Sequence, residues 1–241
     1  MKDVREILKK RPLLFDGGMG TYYKAAPGQE CEQANLLDPE GILAVHRAYL
    51  DAGADAIKTN TFGLTRMAAA HDPAWKALAE AGWELARRAA VQTDAAVFAD
   101  IGPAPDTEAL PAVQLYTALA DCFLALGAKN FLFETLSADT GVAEAAKRIK
   151  QAAPDAFVLV SFAVLPDGYT REGQHCAELV RRMEACGAVD AVGLNCVSAP
   201  SAMGELVQKL GGAKLPLSVM PNAGYPVVTR TRVQYRGRPE Y

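Results

Sequence analysis

The chain has 241 residues and a net charge of −3; half of it is hydrophobic and only 7% is aromatic. That is the composition of an ordinary globular protein with enough apolar residues for a full core. The slight acidity offers nothing to nucleic acid or to an anionic membrane surface, and no apolar run approaches the about 18 residues of a membrane-spanning helix.

The N-terminal Met1-Lys-Asp-Val-Arg-Glu6 mixes charges and lacks the apolar stretch of a signal peptide, so a cytoplasmic location is expected. Cysteines fall at 31, 122, 176, 186 and 196 with no CxxC pair, which excludes a zinc ribbon or a readable disulfide framework. Four of them read as small apolar side chains. Cys196 is set apart by its place at the end of a strand.

Leu13-Leu14-Phe15-Asp16 reads as a first buried strand that stops at Gly17-Gly18, with a polar loop of some 18 residues after Gly20. A helix follows over Pro39 to Ala52, with Asp38 as N-cap, Pro39 at its first position and Gly53 just beyond its end. Ile42, Val45, Tyr49 and Leu50 recur at helical spacing within it. The unit then repeats. Strands are expected over Ala56–Phe62, Ala95–Asp100, Phe131–Thr135, Phe157–Phe162, Val189–Asn195 and Leu217–Met220. Helices are expected over Pro73–Thr93, Pro111–Leu126, Asp139–Ala152, Gln174–Ala185 and Ala199–Leu210.

Strands alternating with helices imply right-handed crossovers and a parallel sheet. A doubly wound sheet should open on a glycine-rich turn that feeds a helix directly, and here the long loop intervenes. The fold class expected is therefore α/β, a (β/α)8 TIM-type barrel. The tail from Val227 to Tyr241 holds no further strand-helix-strand set. The expectation is thus one domain over residues 1–241, truncated after the seventh strand and incomplete at its C-terminus.

In such a barrel, polar residues at the C-terminal strand ends line one mouth. They are Asp16 with Gly17-Gly18-Met19-Gly20-Thr21, Thr59-Asn60-Thr61, Asp100, Glu134-Thr135, Ser161, Asn195-Cys196 and Asn222. Each has a plainer reading: strand-end Asp and Asn cap loops, and the glycines of a Gly-Gly-x-Gly turn supply positive φ. Lys58 stays unassigned, and His46, His71 and His175 read as solvated surface residues. The Cys196 thiol suits a nucleophile, a metal ligand or filler. The first needs a neighbouring base that no matching strand end supplies, and one thiol cannot hold zinc alone.

Six segments together resemble the homocysteine S-methyltransferase family: Phe15-Asp-Gly-Gly-Met-Gly-Thr21, His46-Arg-Ala-Tyr-Leu-Asp-Ala-Gly-Ala-Asp55 leading to Thr59-Asn-Thr-Phe62, Asp100-Ile-Gly-Pro103, Glu134-Thr-Leu136, Gly193-Leu-Asn-Cys196 and Pro221-Asn-Ala-Gly224. They occur in the family's order across nearly the whole chain. The flavour is that of the amino-terminal module of cobalamin-dependent methionine synthase. The tail Tyr235–Tyr241 is similar to bacterial proteins that fuse this module to a methylenetetrahydrofolate reductase.

The resemblance implies zinc-dependent methyl transfer to the homocysteine thiol, giving methionine. It implies Cys196 as a zinc ligand, Asn222 close to the metal, and Asp16 and Glu134 as acceptors for the substrate ammonium. Backbone N–H groups from Gly17 through Thr21 would hold the carboxylate. It leaves the methyl donor open among methylcobalamin, methyl-folate through cobalamin, S-methylmethionine and betaine; methylcobalamin or methyltetrahydrofolate would come with a cobalamin- or folate-binding domain or protein as partner. The family's other two ligands lie in a Gly-Gly-Cys-Cys segment that these 241 residues do not contain, so little zinc and little activity are expected of this chain alone. Two other readings stand beside the enzyme: a metal-deficient homocysteine-binding module that needs a partner, and a barrel lyase or aldolase allowed by the fold alone.

Overall fold

Short aliphatic runs separated by Ala-rich segments produce strands and helices that alternate one for one from residue 96 to residue 220. In chain order they are α1 (Val4–Leu8), α2 (Met19–Tyr22), a 3₁₀ turn (Cys31–Gln33), α3 (Ala34–Leu37), α4 (Pro39–Asp51), β1 (Ala56–Lys58), α5 (Leu64–Ala69) and α6 (Ala74–Ala90). Then come β2 (Ala96–Ile101), α7 (Ala112–Ala125), β3 (Asn130–Leu136), α8 (Val142–Ala152), β4 (Phe157–Phe162), α9 (Cys176–Ala185), β5 (Ala191–Asn195), α10 (Pro200–Lys209) and β6 (Leu217–Met220). The computed structural model describes residues 3–222 together with the backbone of 226–228 and 233–235. Ala223-Gly224 of the Pro221–Gly224 motif and the tail from residue 236 lie outside the described residues.

Six strands make a parallel α/β sheet whose order, β1-β2-β3-β4-β5-β6, is that of the chain. This agrees with the parallel α/β class expected, with six ladder strands in place of seven. The first expected strand is reduced to one parallel bridge, Phe15 to Ala56. The reason is local: after the Asp16 N–H has donated to the Ala56 carbonyl, the next N–H of β1 on that edge, that of Lys58, is taken at 3.0 Å by the Asp16 side chain and not by a backbone carbonyl. Two short strands, β7 (Pro226–Val228) and β8 (Val233–Tyr235), pair antiparallel in the segment expected to hold no strand-helix-strand set.

Two compact units divide the chain. The first comprises residues 1–132 and 140–158. Here β1 and β2 run parallel with Ala56 opposite Ala96. The Asp38 carboxylate caps α4 by accepting from the Gly41 N–H at 3.1 Å, as Pro39 at the first position presets its φ. Helix α6 buries Leu78, Gly82, Trp83, Ala86 and Ala89, a stripe at helical spacing, and the Trp83 Nε1–H donates to the Leu126 carbonyl at 3.0 Å. Phe98 of β2 lies between Phe15, with ring centroids 4.8 Å apart, and Phe157, at 6.1 Å. Burial of each such side chain contributes roughly 1.5–3 kcal/mol. The expected polar loop is partly helical. Asn35 of α3 donates to the carbonyls of Asn60 and Leu78, and the buried Glu32 accepts from the Gly63 N–H.

The second unit comprises residues 133–139 and 159–241. Strands β4, β5 and β6 run parallel, with Ser161 opposite Gly193 and Gly193 opposite Ser218. Helix α9 packs on β5 and buries Leu179, Val180 and Met183. Arg182 holds Asp139 through two hydrogen bonds, at 2.7 and 3.1 Å. No described helix is long and apolar enough to cross a membrane.

The histidines correct the expectation of three solvated residues. His71 is exposed, but His175 is half-buried and caps α9, its Nδ1 accepting from the Ala177 N–H at 3.3 Å. His46 is fully buried on the inward stripe of α4, and neither ring nitrogen has a hydrogen-bond partner among the described residues. Burial lowers its pKa from 6.5 to about 4. Above pH 6.5 the ring is neutral in both states; as pH falls toward 4, only the unfolded chain gains the proton, so stability declines across that window. Each pH unit crossed there removes roughly 1.4 kcal/mol, and the whole loss is on the order of 3 kcal/mol. His46→Leu should flatten the fall in urea midpoint between pH 7 and pH 4.5, and a slope equal to that of the unmutated chain would exclude His46 as its source.

Candidate functional site

The first unit carries the Asp16–Thr21 segment. The Asp16 N–H donates to the Ala56 carbonyl at 2.9 Å, and its Oδ2 accepts from the Lys58 N–H at 3.0 Å, so the bridge at Phe15 holds this buried carboxylate at the end of β1. The chain then turns into α2, whose N-cap Gly18 has φ −74° and ψ 121° and leaves the helix without a side-chain cap. Gly17, Gly18 and Gly20 are not among the positive-φ glycines, which overturns φ as their reason. At Gly17 the constraint is close approach: a Cβ there would sit 2.6 Å from the Tyr49 hydroxyl. That hydroxyl donates to the Gly18 carbonyl at 3.3 Å, while the Thr21 hydroxyl donates to the same carbonyl at 3.0 Å. Tyr49 is thus a structural partner of the turn that its helical spacing alone does not reveal. Burial raises its pKa, with the Asp16 charge adding to that and Lys58 opposing it. Lys58, unassigned from the sequence, is therefore close enough to this group to be felt electrostatically.

Other expected members in this unit are consumed by structure. The Thr59 and Thr61 hydroxyls lie 2.6 Å apart, Thr61 donates to the Asp100 carbonyl at 2.7 Å, and the Asp100 N–H donates to Thr59 Oγ1 at 2.9 Å. Asn60 donates to the Cys31 carbonyl and to Asn35 Oδ1, both at 2.9 Å. Burial raises the thiols of Cys31, to about 11, and of Cys122, as it does that of Cys176 in the second unit, which keeps all three protonated at neutral pH.

The second unit brings Glu134, Thr135, Asn195 and Cys196 together. Asn195, the last residue of β5, accepts from the Thr135 N–H at 2.9 Å through Oδ1. Its Nδ2 donates to Thr135 Oγ1 at 2.8 Å and lies 3.4 Å from both Glu134 Oε2 and Cys196 Sγ. The Thr135 hydroxyl in turn faces Cys196 Sγ at 3.6 Å.

The backbone beneath these groups is unusual. Thr135 has φ 62°, and Cys196 and Val197 both have φ 56°. Side-chain-bearing residues rarely enter this region, and each costs about 1–3 kcal/mol unless its surroundings hold it. The Ser198 N–H closes a tight turn around Val197 on the Cys196 carbonyl at 2.5 Å. The Cys196 N–H is anchored to the Met220 carbonyl at 3.0 Å, and the Asn222 N–H to the Ser198 carbonyl at 3.1 Å. Below Asn195, the row Ser161, Gly193 and Ser218 is small throughout. A Cβ on Gly193 would run into the Ser218 carbonyl, and the buried Ser161 hydroxyl has no partner among the described residues.

A sequence profile described as homocysteine S-methyltransferase matches residues 13–241. The chain belongs to the homocysteine S-methyltransferase family. It is 32% identical over 267 residues to the methionine synthase of Mycobacterium leprae (strain TN), and 31% identical over 262 residues to that of Mycobacterium tuberculosis (strain ATCC 25618 / H37Rv). These alignments cover 99% and 97% of this chain and 22% of either relative, so the chain spans about a fifth of their length. Among solved structures, the metallated form of the homocysteine methyltransferase MmuM from Escherichia coli superposes with a TM-score of 0.77 at 26% identity, covering 92% of this chain and 88% of that one.

The resemblance implies a metal site, and the described residues supply only Cys196 toward it. No group of three His, Cys, Asp or Glu side chains arranged to hold a metal occurs among them, and Cys196 Sγ faces an amide and a hydroxyl that donate protons.

Gly17→Ala should destabilise the chain by about 1–3 kcal/mol through its clash with Tyr49. The penalty should shrink in a Tyr49→Ala background. Equal penalties in the two backgrounds, read from denaturant midpoints, would show that Tyr49 is not the reason for glycine here.

Proposed function

We propose that this chain binds homocysteine and serves as the substrate-binding module for methyl transfer to its sulfur, giving methionine. The observation that carries the reading is the convergence of the Glu134 carboxylate and the Cys196 thiol on one side-chain amide, that of Asn195. A carboxylate beside a sulfur-binding position suits an amino-acid thiol. Within the second unit Glu134 accepts from the substrate ammonium, a charge-assisted contact of roughly 1.5–3 kcal/mol. The family resemblance adds Asp16 as a further acceptor and the N–H groups of Gly17, Gly18, Met19, Gly20 and Thr21 for the substrate carboxylate, which needs no basic side chain. The reacting species is the thiolate, whose lone pair forms the new S–CH₃ bond as the methyl leaves its donor.

Zinc would supply that thiolate by lowering the pKa of the substrate thiol. Cys196 is one thiolate ligand and Asn222 lies near the metal, and the remaining donors are not found beside them among the described residues. A second reading stands beside it, a homocysteine-binding module that depends on a partner for its metal. A methylcobalamin or methyltetrahydrofolate donor would belong with a cobalamin- or folate-binding domain or protein, whereas S-methylmethionine or betaine would need none.

Calorimetric titration with homocysteine, alongside metal analysis, tests both readings. Glu134→Gln should weaken homocysteine at least tenfold. Cys196→Ser should lower zinc content if the metal binds here, while homocysteine affinity that does not depend on zinc supports the metal-free module. Unaltered affinity in Glu134→Gln would sink the assignment of that carboxylate.

A further inference from the structure

Asn195 is 2% exposed, and its carboxamide touches every functional group of the second unit's cluster. Its Oδ1 pins the Thr135 N–H and its Nδ2 pins the Thr135 hydroxyl, at 2.9 and 2.8 Å. The same nitrogen lies 3.4 Å from the Glu134 carboxylate and 3.4 Å from the Cys196 sulfur, so those two groups stand no farther apart than twice that distance. An amide nitrogen has two protons for these three acceptors, and the shortest contact is to Thr135.

Thr135 and Cys196 each hold a left-handed backbone conformation that their side chains disfavour, φ 62° and φ 56°. Such residues stay in place only when neighbours over-determine them. The Asn195 amide meets that requirement from between the two strand ends, bonding to both the backbone and the side chain of Thr135 and approaching the sulfur of Cys196. One buried, doubly hydrogen-bonded side chain thus lies against both the carboxylate and the sulfur and contributes a fixed reference to their separation.

We infer that Asn195 is the specificity-determining residue of this pocket, fixing the carboxylate-to-sulfur span so that homocysteine is accepted over cysteine, its homologue shorter by one methylene. The inference rests on the homocysteine reading above. A substrate whose ammonium meets Glu134 and whose sulfur reaches toward Cys196 is measured against that span. One methylene more or less is commonly worth about ten- to two-hundred-fold in such a pocket. Asn195 acts through the positions of Glu134 and Cys196, which makes it a positioning residue.

The test is calorimetric titration of the 241-residue chain with homocysteine and with cysteine, in the unmutated form, in Asn195→Ala and in Thr135→Gly. The unmutated chain should prefer homocysteine at least tenfold. Asn195→Ala should bring the two affinities to within about threefold, chiefly by weakening homocysteine. Thr135→Gly guards against a folding failure. Glycine adopts the positive φ freely, so this variant should melt no lower than the parent, yet it loses the hydroxyl bonded to Asn195 and should also lose discrimination. Parallel weakening of both ligands, or an unchanged preference, would show a merely structural role and overturn the inference while leaving homocysteine binding intact. An unmutated chain that binds the two amino acids equally overturns it as well. If that chain binds neither, the homocysteine reading and this inference fall together.

Discussion

A carboxamide offers two protons and one carbonyl oxygen, and once buried it must place them or carry the cost of desolvation. Asn195 places its groups on the backbone and hydroxyl of Thr135 and beside Glu134 and Cys196. Much of the second unit's chemistry follows from that arrangement. It ties the end of β3 to the end of β5 through a side chain. It allows two residues with side chains to occupy left-handed backbone, which a looser neighbourhood would release toward the extended region. A buried polar network of this kind is rigid when every member is satisfied and costly when one is not.

The strand ends of the first unit show the alternative fate of buried polar groups. Thr59, Thr61 and the Asp100 backbone form a network in which each hydroxyl has a partner, and Asn60 and Asn35 satisfy one another and three carbonyls. Such residues anchor loops; their polar atoms are directed at protein. Glu134 and Cys196 differ in meeting at one shared side-chain amide, whose nitrogen lies 3.4 Å from each. The two kinds of strand-end residue are thus told apart by where their hydrogen bonds go.

Helices are the most legible part of the sequence, because their signals are local. Asp38, Pro39 and Gly53 mark α4 correctly, and the apolar spacing of the later helices places their ends within three residues. Strand extent is less legible. Thr59 to Phe62 is β-branched enough to read as strand, yet the side chains of Thr59 and Thr61 form a turn network instead. His46 reads as a surface residue because an imidazole is polar by type, while its position in step with Ile42 and Val45 is what buries it. The glycine turn is visible in the sequence but its reason is not, since the approach of Tyr49 is a tertiary fact. Thr135 shows the limit most clearly. A β-branched residue at the end of a strand suggests extended backbone, and its φ of 62° opposes that propensity.

That conflict between local preference and observed backbone is itself informative. Strain persists where the surroundings hold it, and the strained residues here flank the two groups with the most chemistry to offer. Cys196 is held from three sides. Asn195 approaches its sulfur, Met220 of β6 accepts its N–H, and the tight turn at Val197 bends the chain away immediately afterwards. Gly193, earlier on the same strand, lets Ser218 pack close beside β5, so the register that brings Met220 opposite Asn195 depends on the missing side chain. A single glycine, through register, thereby contributes to where the Cys196 thiol comes to rest. The Gly193-Leu-Asn-Cys196 motif is therefore one mechanical device: glycine for close strand packing, asparagine for the clamp, and cysteine for the group that the clamp positions.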